Sequence, residues 1–230
     1  MHDESWQKIF EDYKISEHDF SKSPYILTNS DIKKAVQDFK KTSEKEVRIL
    51  CKQDSREDRP KVFITNNLFL LPIKNGKYVI VKGEGYIDMP EIKETTEFYI
   101  SKLTFKLDTS KIGNSEMQHL DFAYASSLIR SFVQDETLVL TIRGRKYTPK
   151  FEFFVGIHKI EVNSVQTEVD AGYEGENKVV LVEAKNTSIN NTIIRQLYYP
   201  FRQWQSYTNK KVITIFFEKR KDIYSLWQFE

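Results

Sequence analysis

The chain has 230 residues, of which 40% are hydrophobic and 30% charged, a composition typical of a folded protein with a sizeable core. The formal net charge of +2 excludes the strongly basic class of protein that coats nucleic acid non-specifically. The single cysteine, Cys51, excludes an intramolecular disulfide framework and a cysteine-based zinc site. The first residues contain no apolar core of signal-peptide length, and the sequence has no apolar run of the ~20 residues that span a bilayer. We therefore expect a soluble, cytoplasmic protein without a membrane partner.

The first half of the chain, residues 1–115, is predicted to be an α+β region. Apolar residues at helical spacing, such as Ile32, Val36 and Phe39, predict amphipathic helices. The dipeptide Asn75-Gly76 between two apolar runs predicts a β-hairpin. The predicted helices cover 4–13, 30–42 and about 44–52, and the predicted strands cover 62–65, 68–73, 78–82 and 98–107. The polar stretch 108–116 is the predicted boundary to a second domain, residues 116–230.

This second half is predicted to be a mixed α/β domain. The predicted helices cover 120–133 and 192–207, and the predicted strands cover 137–142, 151–157, 165–170, 178–185 and 211–217. The outline is helix, several strands, helix and strand, which favours a sheet with helices packed on it.

Charged side chains end two neighbouring strands of this predicted sheet. Because side chains alternate along a strand, Glu168 and Asp170 share one face, and Glu183 and Lys185 share one face of the next strand. A hairpin would bring Asp170, Glu183 and Lys185 side by side, with Glu168 nearby. Carboxylates held together are costly unless a cation such as Mg²⁺ neutralises them. A surface salt bridge at a strand end is an equally good interpretation of the spacing alone.

The segment EVDAGYEGENKVVLVEAKN, residues 168–186, resembles the active-site hairpin of the PD-(D/E)XK nuclease superfamily, in particular of type II restriction endonucleases. Asp170 matches the acidic residue before the hairpin turn, and Glu183-Ala184-Lys185 matches the (D/E)-x-K triplet. Residues 193–204 resemble the helix that follows this hairpin. The resemblance covers about 120–218 and implies a restriction-endonuclease-like core, preceded by an N-terminal α+β recognition region.

The resemblance implies a sequence-specific, Mg²⁺-dependent endodeoxyribonuclease that hydrolyses phosphodiester bonds in double-stranded DNA. Asp170 and Glu183 would hold the metal together with the Ala184 carbonyl, and Lys185 would position the attacking water. A palindromic DNA site and a homodimer are the implied partners. Two alternatives stay open: a DNA-repair nuclease or junction resolvase with the same core, and a catalytically inactive DNA-binding module.

Further residues are expected around this site. Glu168 and Gln196 are predicted accessory residues, and a further metal-binding acid would be Glu168, Glu136 or Glu116. Gln203 and Tyr207 match a Gln-x-x-x-Tyr motif of one branch of the superfamily. Arg195 and Arg202, seven residues apart, are expected to share the solvent side of their helix with Tyr199 between them. The predicted contacts to the DNA backbone are these two arginines and the basic run Arg143, Arg145, Lys146 and Lys150.

Overall fold

The computed structural model of the chain describes residues 2–187 and 189–229, with the backbone alone at Lys111. Its helices and strands form a mixed α and β fold, as the sequence predicts. The helices are α1 Asp3–Asp12, α2 Asn29–Ala35, α3 Thr42–Lys45, α4 Val47–Leu50, α5 Lys61–Thr65, α6 Glu116–Ala125, α7 Leu128–Val133 and α8 Arg195–Gln205. The strands are β1 Tyr25–Thr28, β2 Leu68–Lys74, β3 Lys77–Lys82, β4 Tyr86–Asp88, β5 Val139–Tyr147, β6 Phe151–Val155, β7 His158–Val162, β8 Gln166–Glu174, β9 Lys178–Lys185, β10 Asn191–Ile193, β11 Lys211–Arg220 and β12 Ile223–Phe229.

The contacts divide the chain into two units, each built from three segments. The first unit comprises Met1–Asp88, Tyr147–Gln166 and Asn191–Arg195, and the second comprises Met89–Lys146, Thr167–Asn190 and Gln196–Glu230. The domain boundary predicted between 115 and 116 is a division of the sequence and stays a prediction. Of the helices in the described residues, none combines the length and the hydropathy that a bilayer span requires.

The first unit contains a three-stranded antiparallel sheet of order β1-β3-β2, with the predicted Asn75-Gly76 turn between β2 and β3. The φ angle of Gly76 is +73°, a conformation that glycine adopts without strain. The unit also contains the β6–β7 hairpin and the β4–β10 pair. Its core includes Trp6 and Phe63, whose rings meet edge to face at 4.8 Å between centroids.

The second unit is built on a five-stranded sheet of order β12-β11-β9-β8-β5. Strands β8 and β9 are antiparallel, whereas β9 and β11 are parallel and are joined by the crossover helix α8. Residues of α6 and α7 pack in one apolar cluster with β8, β9 and β11, and Phe201 and Trp204 of α8 pack against a separate cluster of strand residues. The central strand β9 is apolar and buried from Val179 to Val182, as expected for a strand covered on both faces.

Several segments differ from the sequence prediction. The helix predicted over 30–42 ends at Ala35, and the helix predicted over about 44–52 is two short helices, α3 and α4. Residues 62–65 form helix α5 and not the predicted strand. The β-branched neighbours of Phe63 favour a strand, but the packing of Phe63 in the core of the first unit overrides this preference. The helix predicted over 120–133 is two helices, α6 and α7, separated at Ser127 with φ +65°. Residues 98–107 are described throughout and contain no strand.

Candidate active site

Asp170 lies beside the middle of the Glu183-Ala184-Lys185 triplet. The ladder pairs Ala171 of β8 with Val182 of β9, so the chain just before Ala171 meets the chain just after Val182. The Asp170 Oδ2 atom accepts a hydrogen bond from the backbone N–H of Ala184 at 2.8 Å. The hairpin predicted from strand alternation is therefore present, with Asp170 fixed to the triplet by the backbone.

Close packing at Gly172 holds strand β8 near strand β5. A Cβ atom at residue 172 would lie 2.6 Å from the Cβ atom of Ile142, closer than real Cβ contacts come. Glycine is therefore the residue that allows the side chain of Ile142 to cover the backbone two residues after Asp170.

Glu183 and Lys185 form an ion pair at the end of β9. The Lys185 Nζ atom is 2.5 Å from Glu183 Oε1, and the two side chains are only 18% and 12% exposed. Residues two apart on a strand share a face, which explains why the side chains meet. This pair differs from an ordinary surface salt bridge because both groups have lost most of their water.

The carboxylates of the site outnumber its one ammonium group, so the ammonium group cannot neutralise all of them. Burial raises the pKa of Asp170, although the Ala184 N–H and the Lys185 charge oppose the increase. Burial lowers the pKa of Lys185, but the charge and hydrogen bond of Glu183, with the charges of Asp170 and Glu116, raise it overall. Lys185 is therefore a cation at neutral pH, surrounded by acids.

Glu116 is the third acid whose charge acts on both Asp170 and Lys185. It is the first residue of α6, after the N-cap Ser115, and its Oε1 atom lies 3.4 Å from the backbone N of Asn186. Of the other acids considered from sequence, Glu168 is 55% exposed and pairs with Arg145 at 3.2 Å, while Glu136 is exposed and pairs with Lys102. Glu168 also raises the pKa of Asp170 slightly through its charge.

The binding of Mg²⁺ at these carboxylates stays a prediction. Three carboxylates, of Asp170, Glu183 and Glu116, act on one ammonium group, which leaves an excess of two negative charges when all are ionised. Within residues 2–187 and 189–229, no three His, Cys, Asp or Glu side chains are placed to bind one ion together. Mg²⁺ needs only one or two carboxylates because it retains several waters. Ala184 is fully buried, and the metal contact predicted for its carbonyl stays a prediction.

Asparagines next to the triplet form a network that sequence reasoning missed. The Asn186 side chain donates to the Asn114 carbonyl at 2.9 Å, and the Asn114 side chain is 2.8 Å from a ring nitrogen of His119. Asn186 therefore joins the end of β9 to the segment before α6. Its place directly after Lys185 is the one sequence signal that could have indicated it.

Glu218 of β11 is also close to the end of β9, because the parallel register places it opposite Lys185. Glu218 is 2% exposed and forms an ion pair with Arg220 at 2.9 Å. It also accepts a hydrogen bond from the backbone N–H of Ile189.

Helix α8 packs largely as predicted, through Leu197, Phe201 and Trp204, while Ile193 belongs to the short strand β10 before it. Gln203 is 1% exposed and accepts a hydrogen bond from the Thr167 hydroxyl of β8 at 2.5 Å, whereas Tyr207 is 59% exposed. The Gln-x-x-x-Tyr pair is therefore split between the core and the surface. Gln196 is half-buried.

The basic residues predicted to contact DNA have internal partners in most cases. Arg143 pairs with Asp121 at 2.5 Å, and Arg145 pairs with Glu168. Lys146 is exposed, and Lys150 pairs with Glu161.

On α8, Arg202 donates to the Tyr198 hydroxyl at 2.7 Å. In the first unit, Arg195 pairs with Asp54 at 2.9 Å. The expected position of Tyr199 on a solvent strip between Arg195 and Arg202 is wrong, because Tyr199 is buried at 2% exposure. The DNA contacts themselves stay predictions.

Comparison with known proteins yields two family matches. A family model described as Domain of unknown function (DUF6997) matches residues 81–230, and one described as Domain of unknown function (DUF6996) matches residues 3–80. No curated protein and no solved structure matches the chain significantly.

Proposed function

The chain belongs to the family described as Domain of unknown function (DUF6997), and we propose that it is a Mg²⁺-dependent endodeoxyribonuclease of the restriction type with a PD-(D/E)XK core. The observation that carries the proposal is the convergence of Asp170, Glu183 and Lys185 at one end of a buried β-hairpin. If the ion pair only stabilised the fold, the further carboxylates of Asp170 and Glu116 beside it would add repulsion without a benefit. Replacing such buried pairs with apolar residues is often neutral or stabilising.

The order of elements supports the same proposal. Helices α6 and α7 precede β5, β8 and β9, and helix α8 then leads to β11, which lies parallel to β9. This is the outline of helix, strands, helix and strand that accompanied the family resemblance in the sequence. The β6–β7 hairpin is inserted between β5 and β8.

Asp170 and Glu183 would hold the metal, and Glu116 would add its negative charge beside them. Bound Mg²⁺ would lower the pKa of a coordinated water and polarise the phosphoryl group. The Ala184 N–H keeps the Asp170 carboxylate oriented, so that the carboxylate need not reorganise when the metal binds.

Lys185 has a role that follows from its charge. Because its pKa is raised, it carries its proton at neutral pH and cannot act as a general base. It is a donor, able to orient the attacking water and to stabilise the negative charge that develops on the phosphate. Since its present partner is Glu183, binding of the metal by Glu183 would release the ammonium group for this task.

The substrate of the proposed enzyme is double-stranded DNA. One hairpin site of this kind cuts one strand, so cleavage of both strands at a palindromic site is simplest with two copies of the chain. A homodimer on DNA is therefore part of the proposal. The wild-type protein should convert plasmids of different sequence into discrete bands when Mg²⁺ is present.

The test is plasmid cleavage by the wild type and by Asp170→Asn and Glu183→Gln. Each substitution should reduce the rate at least about a hundredfold, because it removes a charged oxygen from the metal. Binding of DNA in Ca²⁺ should persist. Asp38→Asn is the matched control, since Asp38 and Lys40 repeat the acid-x-lysine pattern in an exposed turn outside any strand.

The outcomes distinguish the alternatives. Nicks that depend on branched or damaged structure would indicate a repair nuclease or junction resolvase with the same core. Intact DNA with a gel shift would indicate a binding module. If Asp170→Asn cut at a rate near that of the wild type, the site would be wrongly assigned.

A further inference from the structure

Residues 91–106, here called the 91–106 segment, expose more apolar surface than any folded role within the chain requires. All of residues 89–108 are described, and they form no helix and no strand. Phe98 is fully exposed, Ile100 is 86% exposed and Phe105 is 65% exposed. Each phenylalanine ring has ~150–250 Å² of surface, so the two rings alone leave roughly 300 Å² in water. The largest apolar patch on a typical monomer has about this size and is often functional.

The segment is nevertheless attached to its own unit. The Tyr99 hydroxyl donates to the Ser126 carbonyl at 2.8 Å, and the Lys102 backbone N–H donates to the same carbonyl at 3.3 Å. Lys102 also pairs with Glu136. Tyr99 is therefore turned towards α6 and α7, while its neighbours Phe98 and Ile100 are exposed. In an extended chain these two neighbours lie on the same side, opposite Tyr99.

The charges of the segment make it complementary to itself. Glu91, Glu94 and Glu97 precede Phe98, with Lys93 among them, and Lys102 and Lys106 follow Ile100. All six charged side chains are exposed. Two copies placed antiparallel would set the acidic half of each against the basic half of the other. Self-complementarity of this kind is what a two-fold symmetric interface requires.

The pattern is also that of a strand without a neighbour. Apolar and polar residues alternate along much of 98–107, and this alternation is why the sequence predicts a strand there. An extended segment that belongs to no sheet and has an apolar side recruits another strand readily. A copy of the same segment supplies both the backbone partner and the matching apolar side.

We propose that the 91–106 segment is the interface between two copies of this chain, paired antiparallel, with Phe98 and Ile100 of one copy packed on the same residues of the other. The need for two copies rests on the proposed nuclease function, whereas the choice of surface rests on the exposure and charge of the segment. The mass of the assembly is measured without DNA cleavage, so failure of one proposal is distinguishable from failure of the other.

The first experiment is sedimentation velocity of the full chain at micromolar concentration, without DNA. The wild type should sediment as a dimer of the 27.2 kDa chain. Phe98→Lys and Ile100→Lys should weaken the dimer at least about tenfold, because each places a charge in the apolar centre. Phe154→Lys is the matched control, since Phe154 is 67% exposed on β6 in the first unit, and it should stay dimeric. Circular dichroism should show that all variants remain folded.

The second experiment is disulfide cross-linking. A mixture of Phe98→Cys and Ile100→Cys chains should give a covalent dimer under mild oxidation, because antiparallel pairing about residue 99 places residue 98 of one copy opposite residue 100 of the other. Ile223→Cys, on a residue that is 50% exposed on β12, should not. A wild type that remains a monomer overturns the proposal, and so does a dimer that survives both lysine variants.

Discussion

The carboxylate of Asp170 accepts a hydrogen bond of 2.8 Å from the backbone N–H of Ala184, which is the middle residue of the Glu183-Ala184-Lys185 triplet. This bond joins two strands at the point where their polar side chains converge. The ion pair between Glu183 and Lys185 is a separate contact, although the charge of Lys185 also lowers the pKa of Asp170.

Asp170→Asn should stabilise the metal-free protein at neutral pH. Burial raises the pKa of Asp170, so the folded protein binds this proton more tightly than the unfolded chain does. Stability is therefore lost as the pH rises from the unfolded pKa, about 3.9, through the folded value. Asparagine keeps a carbonyl oxygen for the Ala184 N–H and lacks the charge. Urea denaturation in EDTA at several pH values measures the difference, which should vanish below about pH 3.5.

Asp135→Asn is the control of opposite sign. Hydrogen bonds from Thr137 lower the pKa of Asp135, so its carboxylate contributes stability that is present at neutral pH and is lost as the pH falls through the folded value. This variant should be less stable than the wild type at pH 7. Added Mg²⁺ should raise the melting temperature of the wild type and of Asp135→Asn but not of Asp170→Asn. An equal Mg²⁺ response in all three proteins would contradict the metal assignment.

Lys185→Met should leave DNA binding intact and abolish cleavage, and it should also destabilise the metal-free fold. Removing the ammonium group leaves the Glu183 carboxylate, 12% exposed, without its partner at 2.5 Å. Breaking such a buried pair costs about 3 kcal/mol. The double variant Glu183→Gln/Lys185→Met should recover much of this loss. Chemical denaturation of the single and double variants measures the coupling, and Lys40→Met is the exposed control.

Lys146→Ala should reduce the salt dependence of DNA binding by about one ion, because a phosphate contact releases one counterion. Lys146 is exposed, whereas Arg143, Arg145 and Arg195 each pair with an acid of their own unit. Arg195→Ala should mainly lower stability, because it removes the closer of the two cations that pair with Asp54, Arg195 at 2.9 Å and Lys52 at 3.8 Å. Binding titrations over a range of salt concentrations separate the two effects. If the salt dependence of DNA binding changed for Arg195→Ala and not for Lys146→Ala, the contact with the DNA backbone would lie at the start of α8.

Gly172→Ala should destabilise the fold by about 1–3 kcal/mol, as overpacking in a filled core does. The added methyl would meet the side chain of Ile142 within 2.6 Å. Ile142→Val removes one methyl from the same space, so the double variant should be more stable than the sum of the single effects predicts. Thermal denaturation of the four proteins tests this, and strict additivity would show that the two residues do not compete for space.

The hairpin of the site could be predicted because its signals are local. Strand β9 is one uninterrupted apolar run that ends in charge, and its observed bounds, Lys178–Lys185, are those predicted. The contribution of Glu116 could not be chosen from sequence, since the packing of α6 on the sheet decides which of three acids faces Asp170. The helix α5 was missed for a related reason. Its β-branched residues favour a strand, and only the burial of Phe63 among distant aromatic rings overrides that preference.

The interleaving of the two units constrains the order in which the chain can fold during synthesis. The chain changes units five times, after residues 88, 146, 166, 190 and 195. A growing chain that has emerged as far as β3 has the sheet of the first unit but lacks the β6–β7 hairpin and the β10 strand of the same unit. Because domains tend to fold from the amino terminus as they are made, the first unit must wait in an incomplete form until Arg195 has left the ribosome. The hairpin of β8 and β9, which belongs almost entirely to the second unit, is synthesised during this waiting period, before either unit is complete.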